Sequence, residues 1–193
     1  MPDAAPRRRR DPEARRREIV AATAELIVEV GVDAVTHRLI AARAGVPLGA
    51  TTQYFATLDD LRTEALGCLI AEVDRRLDGI HAVIAEHGAT ADVLTDLLVQ
   101  GLADAHALEA DRAVVTAAVH DPTLRTLARR WTDRMVAFLT PQHGVRRATA
   151  VTVFIDGILW HSQVHEEPLH AADIRSALAD LLGENTRPSA PSV

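Results

Sequence analysis

The stretch "VTHRLIAARAGVPLGATTQYF", from Val35 to Phe55, decides the fold of the N-terminal part of the chain. Two runs that favour helix stand on either side of Gly45 and Pro47. Gly45 accepts the positive φ of a turn, Val46 fills the gap between two helices, and Pro47 presets φ at the start of the next helix. The stretch therefore predicts a helix-turn-helix, in which two short helices are joined by a tight turn.

The second short helix, from about Pro47 to Tyr54, is built mainly from small side chains: Gly49, Ala50, Thr51 and Thr52. Such a helix fits deep in the major groove of DNA, where Thr methyls and hydroxyls meet thymine methyls and base edges. Gln53 is suited to pair with adenine. The other interpretation is a weak helical turn inside a bundle, because Thr is a poor helix former.

The whole chain of 193 residues predicts an all-α fold. Apolar residues recur at helical spacing, and no long run of β-branched residues alternates with period two. Caps and breakers divide the chain into about nine helices. They are Pro12–Val30, two short helices within residues 35–54, Leu58–His87, one carrying residues 94–105, then 111–119, a helix opened by Asp121 and Pro122 and ended by "TPQHG", 145–165, and 171–182.

Charge is distributed unevenly along the sequence. Residues 1–17 hold seven Arg and three acidic residues, which gives this segment a net charge of +4. Because the whole chain has a net charge of −6, the remaining residues sum to −10. A basic N-terminal segment in an otherwise acidic chain indicates that this segment binds an anionic partner, either nucleic acid or an anionic membrane surface. A solvated, disordered tail is the alternative.

Cysteine and hydropathy point to the cytoplasm. Cys68 is the single cysteine, which excludes an internal disulfide, and its apolar setting "LGCLI" predicts a packed core thiol rather than a reactive one. Acidic residues interrupt the segment after the early arginines, so we expect no secretory signal. The longest apolar stretch, 148–160, contains Asp156 and is too short to span a bilayer.

A longer segment, "REIVAATAELIVEVGVDAVTHRLIAARAGVPLGATTQYFATLDDL" (Arg17 to Leu61), resembles the DNA-binding domain of the TetR family of transcriptional regulators. The features that carry the resemblance are a helix ending in Gly, then "IAARAGV", a Gly-containing recognition helix, an aromatic pair and "LDDL". It covers roughly a quarter of the chain. The resemblance implies a helix-turn-helix domain over 12–57 and a helical ligand-binding and dimerisation domain over 58–183. From their polar composition, residues 1–11 and 184–193 are expected to be disordered tails.

The resemblance also implies which residues contact DNA. They are Thr36, His37 and Arg38 near the start of the first short helix, and Pro47, Leu48, Gly49, Ala50, Thr51, Thr52, Gln53 and Tyr54 in and before the second. Thr52 stands where the family usually has Tyr, and Leu58 where a phosphate-binding Lys is usual. We expect the arginines at 7–10 and 15–17 to compensate by adding salt-dependent affinity more than specificity.

One recognition helix contacts only a few base pairs, so tight binding to double-stranded DNA requires a homodimer on a palindromic operator. The helices 145–165 and 171–182 are the expected interface, as a four-helix bundle with their symmetry mates; a monomer with two ordinary core helices is the alternative. A pocket for a small-molecule effector is expected near Trp131, Met135, Phe138, Trp160 and His161, although such aromatics also form plain cores.

His161, His165 and Glu166 raise the possibility of a metal site, because two His four apart share one helix face. A third ligand cannot be identified, so no metal or cofactor is predicted. The leading hypothesis is a cytoplasmic, dimeric repressor that a small molecule releases from its operator, and not an enzyme. The alternatives are an all-α metal-dependent enzyme using these three residues and a helical adaptor protein.

Overall fold

The computed structural model describes residues 11–185. Every regular element in that part of the chain is a helix, which confirms the all-α prediction. The helices are α1 (Pro12–Val30), α2 (His37–Arg43), α3 (Leu48–Tyr54), α4 (Leu58–His87), α5 (Ala91–Leu102), α6 (Ala105–Ala118), α7 (Pro122–Val164) and α8 (Ala171–Leu182).

Helix α7 is interrupted at Gly144, whose backbone has φ 76° and ψ 154°. Pro141 lies just before this break, inside "TPQHG". The segments 122–143 and 145–164 therefore correspond to two of the nine predicted helices, which is why the described residues hold eight named helices.

Short polar side chains fix several helix starts. Asp11 Oδ1 accepts hydrogen bonds from the backbone N–H groups of Glu13 and Ala14 at 3.0 and 3.1 Å. Asp121 caps α7 in the same way, and Pro122 follows at the first helical position, as the sequence predicts. These caps satisfy backbone donors that have no partner within the helix.

The start of α6 differs from the prediction. The sequence predicts a helix over 111–119, whereas α6 begins at Ala105. Asp104 caps it, because its side chain accepts from the Ala107 N–H at 2.9 Å. Ala105 thus belongs to α6 and not to the preceding helix, which ends at Leu102.

The backbone divides into two compact units, the first ending at Ala71 and the second beginning at Glu72, inside α4. The sequence predicts the division earlier, between residues 57 and 58. In the first unit, Leu61 and Ala65 of α4 are fully buried, as are side chains of the preceding helices, so the first turns of α4 belong to its interior. The largest fully buried side chains of the second unit come from α4, α7 and α8: Leu77, Leu124, Leu139, Val151, Ile174, Leu178 and Leu182.

Cys68 corrects another expectation. The sequence predicts a packed core thiol, but the Cys68 side chain is exposed. Every residue of α4 between Ala65 and Leu77 is half-buried or exposed, and Cys68 is one of the exposed ones.

The bounds predicted for the two disordered tails, 1–11 and 184–193, include residues that the structure describes. Residues 1–10 and 186–193 lie outside the described residues. Asp11 caps α1, and Glu184 Oε1 accepts a hydrogen bond from the Ala91 N–H at 3.1 Å. Asp11 and Glu184 are therefore parts of the fold.

Replacing Gly144 with Ala is expected to lower the free energy of unfolding by about 1–3 kcal/mol, because its φ and ψ suit Gly alone. A Cβ at this position meets nothing within 4 Å, so the loss comes from the backbone and not from a clash. The control is Gly79→Ala inside α4, which also has open space and should stabilise the protein by about 0.5–1 kcal/mol. Urea unfolding measures the stability of both variants. Equal effects of the two substitutions would contradict the conclusion that the backbone conformation at Gly144 requires Gly.

Candidate nucleic-acid interface and ligand cavity

The turn between α2 and α3 has the geometry that its sequence predicts. Gly45 adopts φ 63°, and Val46 is only 9% exposed. The Val46 N–H donates to the Ala41 carbonyl at 3.0 Å, which closes the end of α2. Pro47 has φ −59° and precedes α3 as its N-cap instead of being its first helical residue.

The start of α2 is capped by Thr36. Its Oγ1 accepts a hydrogen bond from the Leu39 N–H at 3.3 Å, and the residue remains exposed. Arg38 is exposed as well, whereas His37 is half-buried. Leu39 is 42% exposed, whereas the next residue, Ile40, is fully buried.

Helix α3 presents one exposed face made of Leu48, Gly49, Thr52 and Gln53. Leu48 is 55% exposed and is the single large apolar side chain of this face. These residues recur at the one-turn spacing of a helix, so their side chains lie together. The outside of α3 is therefore covered by two small residues, Gly49 and Thr52, with Leu48 and Gln53 beside them.

Thr51, which is also predicted as a DNA contact, does not belong to this face. Its side chain is 0% exposed, and Oγ1 donates to the Leu48 carbonyl at 2.8 Å. The same oxygen lies 3.0 Å from His37 Nδ1. Because the hydroxyl has a single hydrogen, which it donates to Leu48, its oxygen accepts a hydrogen bond from the Nδ1–H tautomer of His37. Thr51 thus joins α2 to α3.

Replacing Thr51 with Val should lower the stability of the first unit by about 1–3 kcal/mol, because it leaves a half-buried His37 N–H without its acceptor. Thr52→Val is the matched control. Thr52 is exposed, so the same change there should stay within about 0.5 kcal/mol. Hydrogen exchange of α2 and α3 amides measures both, and equal protection in the two variants would refute the role of Thr51.

Three arginines position these helices, and sequence reasoning missed all three roles. Arg43 forms ion pairs with Glu25 and Glu29 and so joins α2 to α1. Arg62 donates to the carbonyls of Asp33 and Val35 at 3.0 and 2.8 Å, just before α2 begins. No periodicity signals such pairs, because their partners are distant in the sequence.

Arg16 is the third positioning arginine. It pairs with Glu64 and lies 4.9 Å from the centroid of the Phe55 ring. Arg15 pairs with Glu18 at 2.9 Å. Two of the three arginines at 15–17 that are expected to contact DNA therefore form ion pairs within the protein. The arginines at 7–10 lie outside the described residues.

The second unit contains an apolar cavity of about 350 Å³, lined by side chains of α4, α6 and α7. Two of the five residues predicted for the ligand site, Trp131 and Trp160, line it. The other apolar walls are Val73, Val114, Val115, Leu127, Ala128 and Leu159.

The remaining three residues predicted for this site do not line the cavity. Met135 is 5% exposed and belongs to the core. The Phe138 ring stacks on His81 with a centroid distance of 4.4 Å, and the His161 ring stacks on His165 at 3.9 Å. From the first half of α7 the cavity is lined by residues up to Thr132, so Met135 and Phe138, one and two turns beyond Trp131, pack elsewhere.

Asp156 also lines the cavity, a role that its sequence context did not reveal. Burial raises the pKa of its carboxyl above the ordinary value, and no other group contributes to the shift. Its single signal in the sequence is a lone acidic residue within an apolar stretch.

The His161, His165 and Glu166 constellation does not gather into a metal centre. The two rings face each other in a stack, and residues 11–185 contain no cluster of three or more His, Cys, Asp or Glu able to hold a metal ion. None of the helices in this range has the length and hydropathy needed to cross a membrane.

These features define a helix-turn-helix protein with a separate helical unit that contains a cavity. A sequence profile described as bacterial regulatory proteins, tetR family, matches residues 19–65. A solved member of the TetR family from Streptomyces coelicolor A3, SCO1917, is 30% identical with a TM-score of 0.62, and the match covers 86% of this chain and 97% of that one. The chain belongs to the TetR family of transcriptional regulators.

Two further proteins are similar to this chain. The HTH-type transcriptional regulator PksA of Bacillus subtilis (strain 168) is 39% identical over 70 residues, which are 36% of this chain and 34% of PksA. The match thus spans about a third of that relative. The multidrug binding protein EbrR, solved with malachite green, is 29% identical over 86% of this chain and 97% of its own, with a TM-score of 0.63.

Proposed function

We propose that this regulator is a homodimeric repressor that binds a palindromic operator in double-stranded DNA and is released by a small-molecule effector. The observation that carries the proposal is the face of α3 on which Leu48, Gly49, Thr52 and Gln53 are exposed together while Thr51 is buried. Small side chains allow the backbone of a helix to approach base edges closely. Cytoplasmic localisation belongs to the same proposal.

The DNA contacts divide into two groups. Thr52 and Leu48 offer methyl groups to thymine, and Gln53 offers the amide that pairs with adenine. The groups at the start of α2 and around α3 meet the phosphates and sugars and set the register: Thr36, His37, Arg38, Pro47, Ala50 and Tyr54.

The dimer is proposed from the surface of the segment 145–164. Val145, Val153 and Val164 are each more than half exposed, and Gly157 lies between the last two on the exposed side. An apolar stripe of this kind on a helix is a place for another helix to pack. A second copy, adding its own 145–164 segment and α8, would form a four-helix bundle with two-fold symmetry.

The effector site is proposed to be the cavity lined by Trp131 and Trp160. EbrR has been solved with malachite green, proflavin and ethidium, which supports a small organic molecule in a protein of this fold. Val73 of α4 lines the cavity, and Arg62 at the start of the same helix bonds to the segment before α2. A ligand that shifts α4 would change DNA affinity by a coupling of about 1–3 kcal/mol, or roughly 5- to 150-fold.

Selection of bound duplexes from a random pool tests the DNA-binding part. We expect a palindrome whose half-sites are about one helical turn apart, roughly 10 base pairs, or a multiple of that spacing. Recovery of unrelated sequences or of a single half-site would contradict the proposal. Equilibrium sedimentation tests the dimer, and a stable monomer would decide against it.

Deleting residues 1–10 should reduce the slope of log affinity against log salt concentration, because Arg7–Arg10 would no longer neutralise phosphates. Asp11 is kept because it caps α1. The ratio of specific to non-specific binding should change little. A salt slope identical to that of the full chain would show that the arm does not contact DNA.

A further inference from the structure

The cavity of the second unit contains two hydrogen-bond acceptors without donors. Within the described residues, the Asp156 carboxylate has no hydrogen bond or ion pair. Gln163 also lines the cavity, and its Oε1 is buried and has no hydrogen-bond partner. Its Nε2 is already used, since it donates to the Leu159 carbonyl at 3.0 Å. Unpaired acceptors in an apolar wall favour a ligand that brings N–H donors.

The other carboxylate of the cavity is already neutralised. Asp111 accepts two hydrogen bonds from the Arg76 guanidinium, at 2.7 and 2.6 Å. That guanidinium lies 5.2 Å from the centroid of the Trp131 ring. The protein therefore already holds one planar cation beside an aromatic wall of the cavity, an arrangement stabilised by the negative face of the indole.

Three arginines line the cavity, Arg112, Arg125 and Arg129, and their side chains reach solvent. Arg112 is 50% exposed and pairs with Glu109, while Arg125 donates to the carbonyls of Ala118 and Val119 at 3.1 and 2.8 Å. Arg129 is exposed. Asp156, in contrast, is partly buried, and its carboxyl has a raised pKa because burial penalises the charged form. Solvent screens the three exposed cations more strongly than it screens the buried carboxylate.

We propose that the effector of this regulator is a flat organic cation with N–H donors, held by the Asp156 carboxylate and Gln163 Oε1 and stacked on Trp131 or Trp160. This inference rests on the proposed effector site and adds the chemical class of its ligand. The charge of the ligand compensates the desolvated carboxylate, and its rings replace water along the apolar walls. A cavity of about 350 Å³ accommodates a molecule of two or three fused rings.

Two probes with the same three-ring skeleton and opposite charge test the proposal. One is 9-aminoacridine, a cation with N–H donors at neutral pH, and the other is anthracene-9-carboxylate, an anion. Fluorescence titration of the full chain should give an affinity for the cation at least about tenfold higher than for the anion. Asp156→Asn should weaken binding of 9-aminoacridine by about 10- to 100-fold and leave the anion unchanged or bound more tightly.

Asp133→Asn is the matched control, because Asp133 is exposed on α7 and does not line the cavity. It removes the same charge and should change affinity by less than about twofold. Gln163→Leu gives a second, independent readout and should weaken binding of the cation by about 3- to 10-fold. Thermal unfolding confirms that each variant is folded.

Three results would overturn the inference: no binding of 9-aminoacridine, binding of the anion as tightly as the cation, or unchanged affinity in Asp156→Asn. None of them affects the operator selection or the sedimentation experiment, which use the protein without any ligand. Failure of the ligand class is therefore distinguishable from failure of the DNA-binding proposal.

Discussion

Operator affinity is expected to fall about 100-fold or more when Gln53 is replaced with Glu. Gln53 is exposed on α3 beside Thr52, so the new carboxylate would point toward the proposed DNA surface. Like charges brought together at an interface cost several kcal/mol, and each 1.4 kcal/mol is about a factor of ten. Fluorescence anisotropy with the selected duplex measures the loss.

The matched control for this substitution is Gln100→Glu. Gln100 is exposed near the end of α5, in the second unit, so the variant has the same net charge but the charge is placed elsewhere. Its affinity should remain within about threefold of the parent, since salt screens exposed charges over about 10 Å. If both variants bound alike, α3 would not be the recognition helix.

The second large effect is expected in the core of the second unit, where Leu178→Ala should lower the free energy of unfolding by about 3–5 kcal/mol. Leu178 on α8 is 0% exposed and lies in the cluster that contains Leu94, Leu139 and Ile174. Truncation removes buried apolar surface and leaves a cavity that the surroundings fill only in part. Both tryptophans of the chain lie in the second unit, so their fluorescence follows its unfolding in urea.

Leu169→Ala is the control for the core substitution. Leu169 lies before α8 and is 41% exposed, so its truncation should change stability by no more than about 0.5 kcal/mol. Both variants are compared at one protein concentration, because a dimer gains stability with concentration. A loss below about 1 kcal/mol in Leu178→Ala would show that α8 does not pack as described.

Local sequence signals predicted most of the helix bounds. The starts and ends of α1, α4 and α8 agree with the sequence because short-range devices set them: the first-turn Asp59 and Asp60 of α4, and Gly88 and Gly183 with positive φ after α4 and α8. The sequence does not predict the start of α6, because the helix that Asp104 caps opens with the weakly patterned "AHALEA".

The candidate sites were predicted less completely. The sequence placed the exposed small face on α3, but it could not separate Thr51 from Thr52, since both are small threonines on one short helix. Their difference comes from His37, which approaches Thr51 from α2. Likewise, Trp131 and Met135 share a helical stripe, and only the packing of α6 against the start of α7 puts Trp131 at a cavity and Met135 in the core.

The sequence by itself determined the all-α class, the turn at Gly45 and the caps, because each depends on backbone preferences and hydrogen bonds within a few residues. Tertiary structure alone decided which threonine is buried, which aromatics meet a cavity, and that Asp156 and Gln163 line it without hydrogen-bond donors. Those outcomes depend on contacts between residues far apart in the chain. Helical periodicity sets the direction in which a side chain points from the axis of its helix, whereas the neighbouring helices determine which residues that side chain contacts.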